Sequence, residues 1–348
     1  MRKMATIRKI DSIRDIPGAD SIECCTLGGW NVVTRKGEFK AGDLAVYCEI
    51  DSFIPTAIAP FLTKPGHSTK TFEGVAGERL RTVKLRGQLS QGLLLPLIIK
   101  MGGHLLPTSC EIVLEGDDVS AALGIVKYEA PVPAALQGEV KGMFPSRIPK
   151  TDQERIQNLS VELEEWKTEN LTWEVTEKLD GSSMTVYVIN GEVGVCSRNL
   201  DLKPNPDNSL WRAALKHDLP AKLANLGCNI AVQGELIGNG IQGNLYKMRD
   251  QDFYVYDIYD IDAGRYFTPA ERQMFVNEHK LNHCPVIAYS ANLLDTLGIT
   301  NMDQILKFAE GKSVMGDIVG PEREGVVFKC NKKQVSFKAI SNKFLLKN

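Results

Sequence analysis

Lys178-Leu179-Asp180-Gly181-Ser182-Ser183 sets a lysine two residues ahead of an aspartate-glycine pair, directly after a strand-like run over 173–177. A lysine kept from water beside other cations has a depressed pKa, which leaves neutral amine to attack a phosphorus centre. Alone the pattern decides nothing. K-x-D-G arises by chance in roughly one chain of this length in ten to twenty, and Asp-Gly after a strand is ordinary turn chemistry. The residues around it have to separate the two readings.

Composition narrows the field first. At 348 residues, 43% hydrophobic and 24% charged, the chain suits two domains of an ordinary globular protein. No apolar run approaches a membrane span, and no hydrophobic segment follows Met1-Arg2-Lys3-Met4-Ala5-Thr6, so neither a membrane segment nor a secretory signal is expected. The eight cysteines, Cys24, Cys25, Cys48, Cys110, Cys196, Cys228, Cys284 and Cys330, form no C-x-x-C pair. A disulfide framework or structural zinc is therefore not expected, and the reducing cytoplasm is the expected compartment. His279 and His283 stand at helical spacing but lack the acid of H-E-x-x-H. A net charge of −2 argues against general nonspecific wrapping of duplex DNA, so nucleic-acid binding would have to use local basic clusters. Arg79, Arg81, Lys84 and Arg86 form one such cluster. The C-terminal lysines from Lys329 to Lys347 form another.

Short strands over 5–10, 22–27, 30–34, 44–50, 80–85 and 92–96, separated by Gly, Pro and Asp, predict a small barrel or sandwich. An OB-type barrel suits that count, with an SH3-like barrel as its competitor. A proline-rich passage follows, so the expected division is a barrel domain over 1–130, a linker over 131–150 and a second domain over 151–348. Asp152 and the stripe Ile156, Leu159, Leu163, Trp166 predict a helix over 151–166. Beyond it, strands are predicted over 173–177, 184–189, 193–197, 230–237, 253–261, 325–329 and 334–339, with helices over 210–216, 269–278 and 302–310. Strands that do not alternate strictly with helices imply an α+β domain of mainly antiparallel sheets.

Five later segments carry charged or aromatic groups, each with an ordinary alternative. Ser197-Arg198-Asn199 ends a strand with a guanidinium, which elsewhere is often just an exposed arginine. Glu235 sits mid-strand in Val232-Gln233-Gly234-Glu235-Leu236, facing either solvent or a sugar hydroxyl or metal. In Phe253-Tyr254-Val255-Tyr256-Asp257-Ile258, alternation puts Tyr256 opposite Asp257, where its ring is either core or a stacking platform. Glu324-Gly325-Val326-Val327-Phe328-Lys329 and Ser336-Phe337-Lys338 offer an acid and two lysines, which would otherwise be cross-strand ion pairs.

Taken in order, these motifs resemble the covalent nucleotidyltransferase superfamily of ATP-dependent DNA ligases, RNA ligases and capping enzymes. Gly234-Glu235-Leu236-Ile237-Gly238, Gly240-Ile241-Gln242-Gly243-Asn244-Leu245-Tyr246 and Lys338-Ala339-Ile340-Ser341-Asn342-Lys343-Phe344 are most similar to the RNA ligases. DNA ligases and capping enzymes carry an OB domain after the last motif, whereas only ten residues follow Lys338 here. A barrel placed first, Lys84-Leu85-Arg86-Gly87-Gln88 and the passage from Phe144-Pro145-Ser146 to Gln157-Asn158-Leu159 resemble the Deinococcus-type ATP-dependent RNA ligases over essentially the whole chain.

The resemblance implies sealing of a 3′-hydroxyl to a 5′-phosphate in nicked or broken duplexed RNA, with ATP as AMP donor and Mg2+ or Mn2+. It implies that Lys178 is the nucleophile and carries AMP, and that Asp180 and Lys338 share the catalytic centre. Glu177, Arg198, Glu235, Tyr256, Lys329 and Lys338 would contact the nucleotide: Glu235 the ribose, Tyr256 the adenine, the lysines the phosphates. Asp180, Glu235 and Glu324 would hold the metal. Many superfamily members have K-x-K in the last motif; here Ser336 precedes Lys338, and Lys343 or Lys329 would have to supply the second cation. Arg79, Arg81, Lys84, Arg86 and Arg155 are the expected RNA contacts. The barrel would bind RNA, close over the site during adenylation, or serve only as an appendage. Pro17-Gly18-Ala19-Asp20-Ser21-Ile22 is similar to tRNA-binding OB modules, which keeps a tRNA-like substrate open. A monomer is expected. A DNA ligase, a capping-type guanylyltransferase and a noncatalytic RNA-binding relative are the alternatives.

Overall fold

The computed structural model describes residues 3–97, 99–101, 104–106, 114–129, 138–315 and 320–347. Two compact units emerge, Met1–Pro131 and Val132–Asn348.

The first unit is built from short antiparallel strands. Ala5–Lys9, Leu44–Cys48 and Leu93–Leu95 form one sheet; Ser12–Asp15, Ile22–Leu27 and Trp30–Arg35 form another. Alternating apolar side chains of the first sheet, among them Ile7, Val46, Cys48 and Leu95, pack with Ile54 and Leu80 into a core. The expected strand over 80–85 divides in two. Leu80 turns into the core and donates its N–H to Ser52, which ends Val75–Arg79 and lets Thr82–Leu85 start a separate hairpin with Gln88–Gln91.

The second unit has two sheets. The larger runs Val140–Met143, Leu200–Leu202, Glu192–Cys196, Ser182–Ile189, Ile230–Ile237, Asp252–Asp260 and Arg265–Tyr266, with Asn282–His283 parallel to Asp252–Asp260. The smaller runs Val286–Asn292, Thr172–Lys178, Gly325–Cys330 and Ser336–Ile340, all antiparallel. Each sheet buries one face beneath helices. Val186, Val232, Phe253 and Val255 pack against residues of Ser209–Lys216, Leu219–Ala224 and Pro269–Glu278. Trp173, Val175, Phe328 and Phe337 pack against Ser160–Thr168 and Met302–Ala309, and the Trp166 and Phe337 rings stack at 5.4 Å. Alternation then sends Glu174, Thr176 and Lys178, Val327 and Lys329, and Ser336 and Lys338 to the opposite face.

Two expectations change here. The helix expected over 151–166 begins only at Ser160, after a 3-10 turn at Ile156–Asn158. The backbone before it is committed elsewhere: Glu154 accepts the Lys338 N–H at 2.9 Å, and Arg155 bridges to Lys338 in parallel. Part of the expected linker is structured as well, since Val140–Met143 is an edge strand on Leu200–Leu202 and Ile148 is buried. The remainder of that linker, residues 131–137, lies outside the described residues.

Candidate active site

Lys178 ends its strand opposite Gly325, so the residue before that glycine, Glu324, arrives beside the lysine. The Lys178 ammonium donates to Glu324 Oε2 at 2.8 Å, with 27% of the lysine side chain exposed. Two glycines stand beside the pair where backbones approach closely. A Cβ on Gly325 would stand 2.2 Å from the Ala339 carbonyl oxygen, and one on Gly181 would stand 2.4 Å from that of Leu236. Gly181 is thus required by close approach of two backbones rather than by the turn conformation that Asp-Gly suggests.

Asp180 is fixed through its backbone, whose N–H donates to the Tyr246 hydroxyl at 2.7 Å. Tyr246 belongs to the Gly243-Asn244-Leu245-Tyr246 stretch, whose positioning role its sequence does not reveal. Glu235 comes from the larger sheet, as the Cα partner of Ser183 on one side and Tyr254 on the other.

Three carboxylates around one ammonium give the site its electrostatics. Burial alone would pull the Lys178 pKa down, but Glu324, then Glu235 and Asp180, outweigh it and hold the lysine above its ordinary value. Burial, reinforced by Glu324 and opposed by Lys178, pushes Asp180 up to about 6. Burial pushes Glu235 up to about 8, with Glu324 and Asp180 adding to the effect and Lys178 opposing it. Lys178 and Arg198 oppose the rise at Glu235, but burial and the neighbouring acids outweigh them. The donor set is all oxygen, as a hard divalent cation requires. Among the described residues, no three acidic, histidine or cysteine side chains cluster tightly enough to chelate one ion directly. The residues fit a hard divalent cation by the chemistry of their oxygen donors.

The other expected contacts are distributed as follows. Arg198 Nη2 donates to both oxygens of Asp152, at 2.7 and 2.8 Å, so Asp152 serves the arginine instead of capping a helix. Tyr256 pairs its hydroxyl with Ser183 Oγ at 3.1 Å, and Ser183 in turn with Thr151 Oγ1 at 3.0 Å. Strict alternation would separate Tyr256 from Asp257, but the Asp252–Asp260 strand shifts register between the partners of Gln233 and Gly234. Both residues consequently meet Lys329, which binds Asp257 Oδ1 at 2.5 Å, donates to the Tyr256 carbonyl and lies 5.6 Å over the Tyr256 ring. Lys329, expected at a phosphate, instead spends its ammonium on these groups and is buried.

Glu177 is buried too. Its Oε2 accepts the Val314 N–H at 2.9 Å, while Oε1 has no hydrogen-bond partner among the described residues. Lys338 is half-buried on the face it shares with Lys178. Arg155, expected to touch RNA, is 5% exposed. In the first unit Arg79 is also committed, to Asp51 at 2.6 Å and to the Tyr128 ring at 5.2 Å. Arg81, Lys84 and Arg86 are exposed. Sequence reading missed Thr151, Ser183, Tyr246 and Arg272, whose residue types carry no signal apart from the fold.

Residues 171–341 match the RNA ligase family, and residues 4–97 match an OB-fold domain family. No curated protein matches the chain. Among solved structures, Naegleria gruberi RNA ligase with pyrophosphate is 46% identical, with a TM-score of 0.86 over 99% of this chain and 98% of that one. The chain belongs to the RNA ligase family. A lysine-to-methionine variant of the Naegleria RNA ligase with AMP and Mn is 45% identical, with a TM-score of 0.87 over 100% and 99% of the two chains. A lysine-to-alanine variant with ATP and Mn gives 45% and 0.86 over 99% of each. The likeness spans both units, so this RNA ligase combines an N-terminal OB fold with an α+β nucleotidyltransferase domain.

Proposed function

We propose that this RNA ligase uses ATP to seal 3′-hydroxyl and 5′-phosphate RNA ends at nicks or breaks in duplexed RNA, with Lys178 as the covalent carrier of AMP. The observation that carries the proposal is the strand-end Lys178 held among Glu324, Glu235 and Asp180.

Lys178 Nζ attacks the α-phosphorus of ATP, forming a P–N bond as pyrophosphate leaves. The RNA 5′-phosphate then takes AMP from the lysine, and the 3′-hydroxyl displaces AMP to form the phosphodiester. Attack requires the lysine to lose its proton, and the three carboxylates resist that loss. A divalent cation, Mg2+ or Mn2+, supplies the positive charge that offsets those carboxylates and the charge developing on the phosphate. Lys338 adds a fixed positive charge on the same sheet face. Glu235 accepts from the ribose hydroxyls and Arg198 donates beside them. The Tyr256 ring carries the adenine, and the buried, unpartnered Glu177 Oε1 suits the exocyclic amine of that base. Lys329 supports Tyr256 from behind.

Arg81, Lys84 and Arg86 on the exposed segment of the OB unit are the proposed RNA contacts. No helix among the described residues is long and apolar enough to cross a membrane. A reducing compartment such as the cytoplasm suits the seven described cysteines, all free. A monomer is the assembly proposed.

Duplexes with one nick test the substrate class. Nicks bearing a ribose 3′-hydroxyl end are expected to seal with ATP and Mg2+ or Mn2+, and all-DNA nicks to remain open. Equal sealing of all-DNA nicks contradicts the RNA assignment, and adduct formation from GTP alone contradicts the ATP assignment.

A further inference from the structure

Behind Tyr256 lies a group of charged side chains that the chemistry above does not use directly. Arg272, at 0% exposure on the helix Pro269–Glu278, pairs with Glu174 of the Lys178 strand. Its Nε donates to His283 Nε2 at 2.9 Å, and its Nη1 stands 3.8 Å from Asp257 Oδ1. That same carboxylate oxygen holds Lys329, which grips the Tyr256 carbonyl. Glu174 and Lys329 are Cα partners in the smaller sheet, and Asp257 belongs to the larger one. The network therefore ties the two sheets together behind the Tyr256 ring.

Stability alone is a poor account of it. Desolvation offsets most of what a buried ion pair gains, and apolar packing of the same volume commonly stabilises as well or better. Arg272 and Lys329 also border a cavity of about 350 Å3, so packing does not hold them on every side. Ionic contacts do, and they converge on the one residue where the Asp252–Asp260 strand departs from its register.

We infer that Arg272 is a positioning residue for nucleotide binding, acting through Asp257 and Lys329 to set the height and tilt of the Tyr256 ring. The inference rests on the proposal that adenine stacks on Tyr256. Two full-length variants test it: Arg272→Lys, and the charge-balanced pair Glu174→Gln with Arg272→Met. Lysyl-AMP formation is measured across ATP concentrations, with circular dichroism and thermal melting to establish folding.

The pair is expected to raise the KM for ATP about tenfold while changing the rate at saturating ATP less than about threefold. Arg272→Lys recovers part of the loss. Adding Tyr256→Ala to the pair raises KM no further, because the two act through one element. An unchanged KM in the folded variants overturns the inference, as does a rise of equal factor with and without Tyr256→Ala. Tyr256→Ala alone separates the two claims. If it leaves KM unchanged, the stacking proposal fails and takes the inference with it. If it raises KM where the Arg272 variants do not, the inference alone fails.

Discussion

Lys178 and Glu324 stand 146 residues apart in sequence and 2.8 Å apart in space, because Lys178 and Gly325 are Cα partners on neighbouring strands. The lysine, its aspartate and the acids of the later motifs were legible as residue types in order. Their mutual charge was not, since a pKa depends on burial and distance that sequence does not contain. Gly181 shows the same limit from another side. Its motif suggests a turn glycine, whereas the structure demands it because a Cβ would press on the Leu236 carbonyl oxygen at 2.4 Å. Backbone cannot yield as a side-chain tip can, so Gly181→Ala should cost about 1–3 kcal/mol of stability by denaturant unfolding. His283 gives a pH prediction. Burial, with Arg272 adding, lowers its pKa from 6.5 to about 3, so the unfolded chain takes up a proton that the folded chain refuses. Its contribution to stability is complete above about 6.5 and is lost as pH falls toward 3. Thermal melts across that window should fall less steeply for His283→Gln, which keeps an acceptor for Arg272 and loses the titration.

Among elements, those with strong local patterns were read closely. Ile230–Ile237 opens and closes on apolar residues, and Pro269–Glu278 opens with Thr268, a proline and Glu271 in a full capping box. Thr268→Ala should therefore destabilise the protein by about 1 kcal/mol in thermal or chemical unfolding. Elements set by tertiary pairing were read poorly. Leu200–Leu202 has only three residues, and Val286–Asn292 is a half-exposed edge strand, so neither carries a distinct period. The helix expected over 151–166 lost its first turns to pairing along Ser336–Ile340, which the stripe of apolar residues does not reveal. A single extra residue near Tyr256 was invisible for the same reason, yet it brings Tyr256 and Asp257 together on Lys329.

For the whole molecule, the order of parts was legible: a strand-rich OB unit first, then the domain that carries the lysine. The net charge of −2 means that RNA affinity has to come from local patches. The Thr82–Leu85 and Gln88–Gln91 hairpin turns at Arg86-Gly87 and exposes Lys84 and Arg86. Replacing both with glutamate should raise the KM for nicked RNA and flatten the salt dependence of RNA binding, measured by filter retention or anisotropy. A loss confined to lysyl-AMP formation, which involves no RNA, would instead assign the OB unit to the first step. The central claim is that Lys178 carries AMP, and peptide mass mapping after incubation with ATP and Mg2+ or Mn2+ tests it most directly. A single adduct, one AMP in mass, is expected on the peptide containing Lys178, absent in Lys178→Ala and discharged when 5′-phosphorylated nicked RNA is added. An adduct on another residue, or one that persists in Lys178→Ala, would contradict that claim.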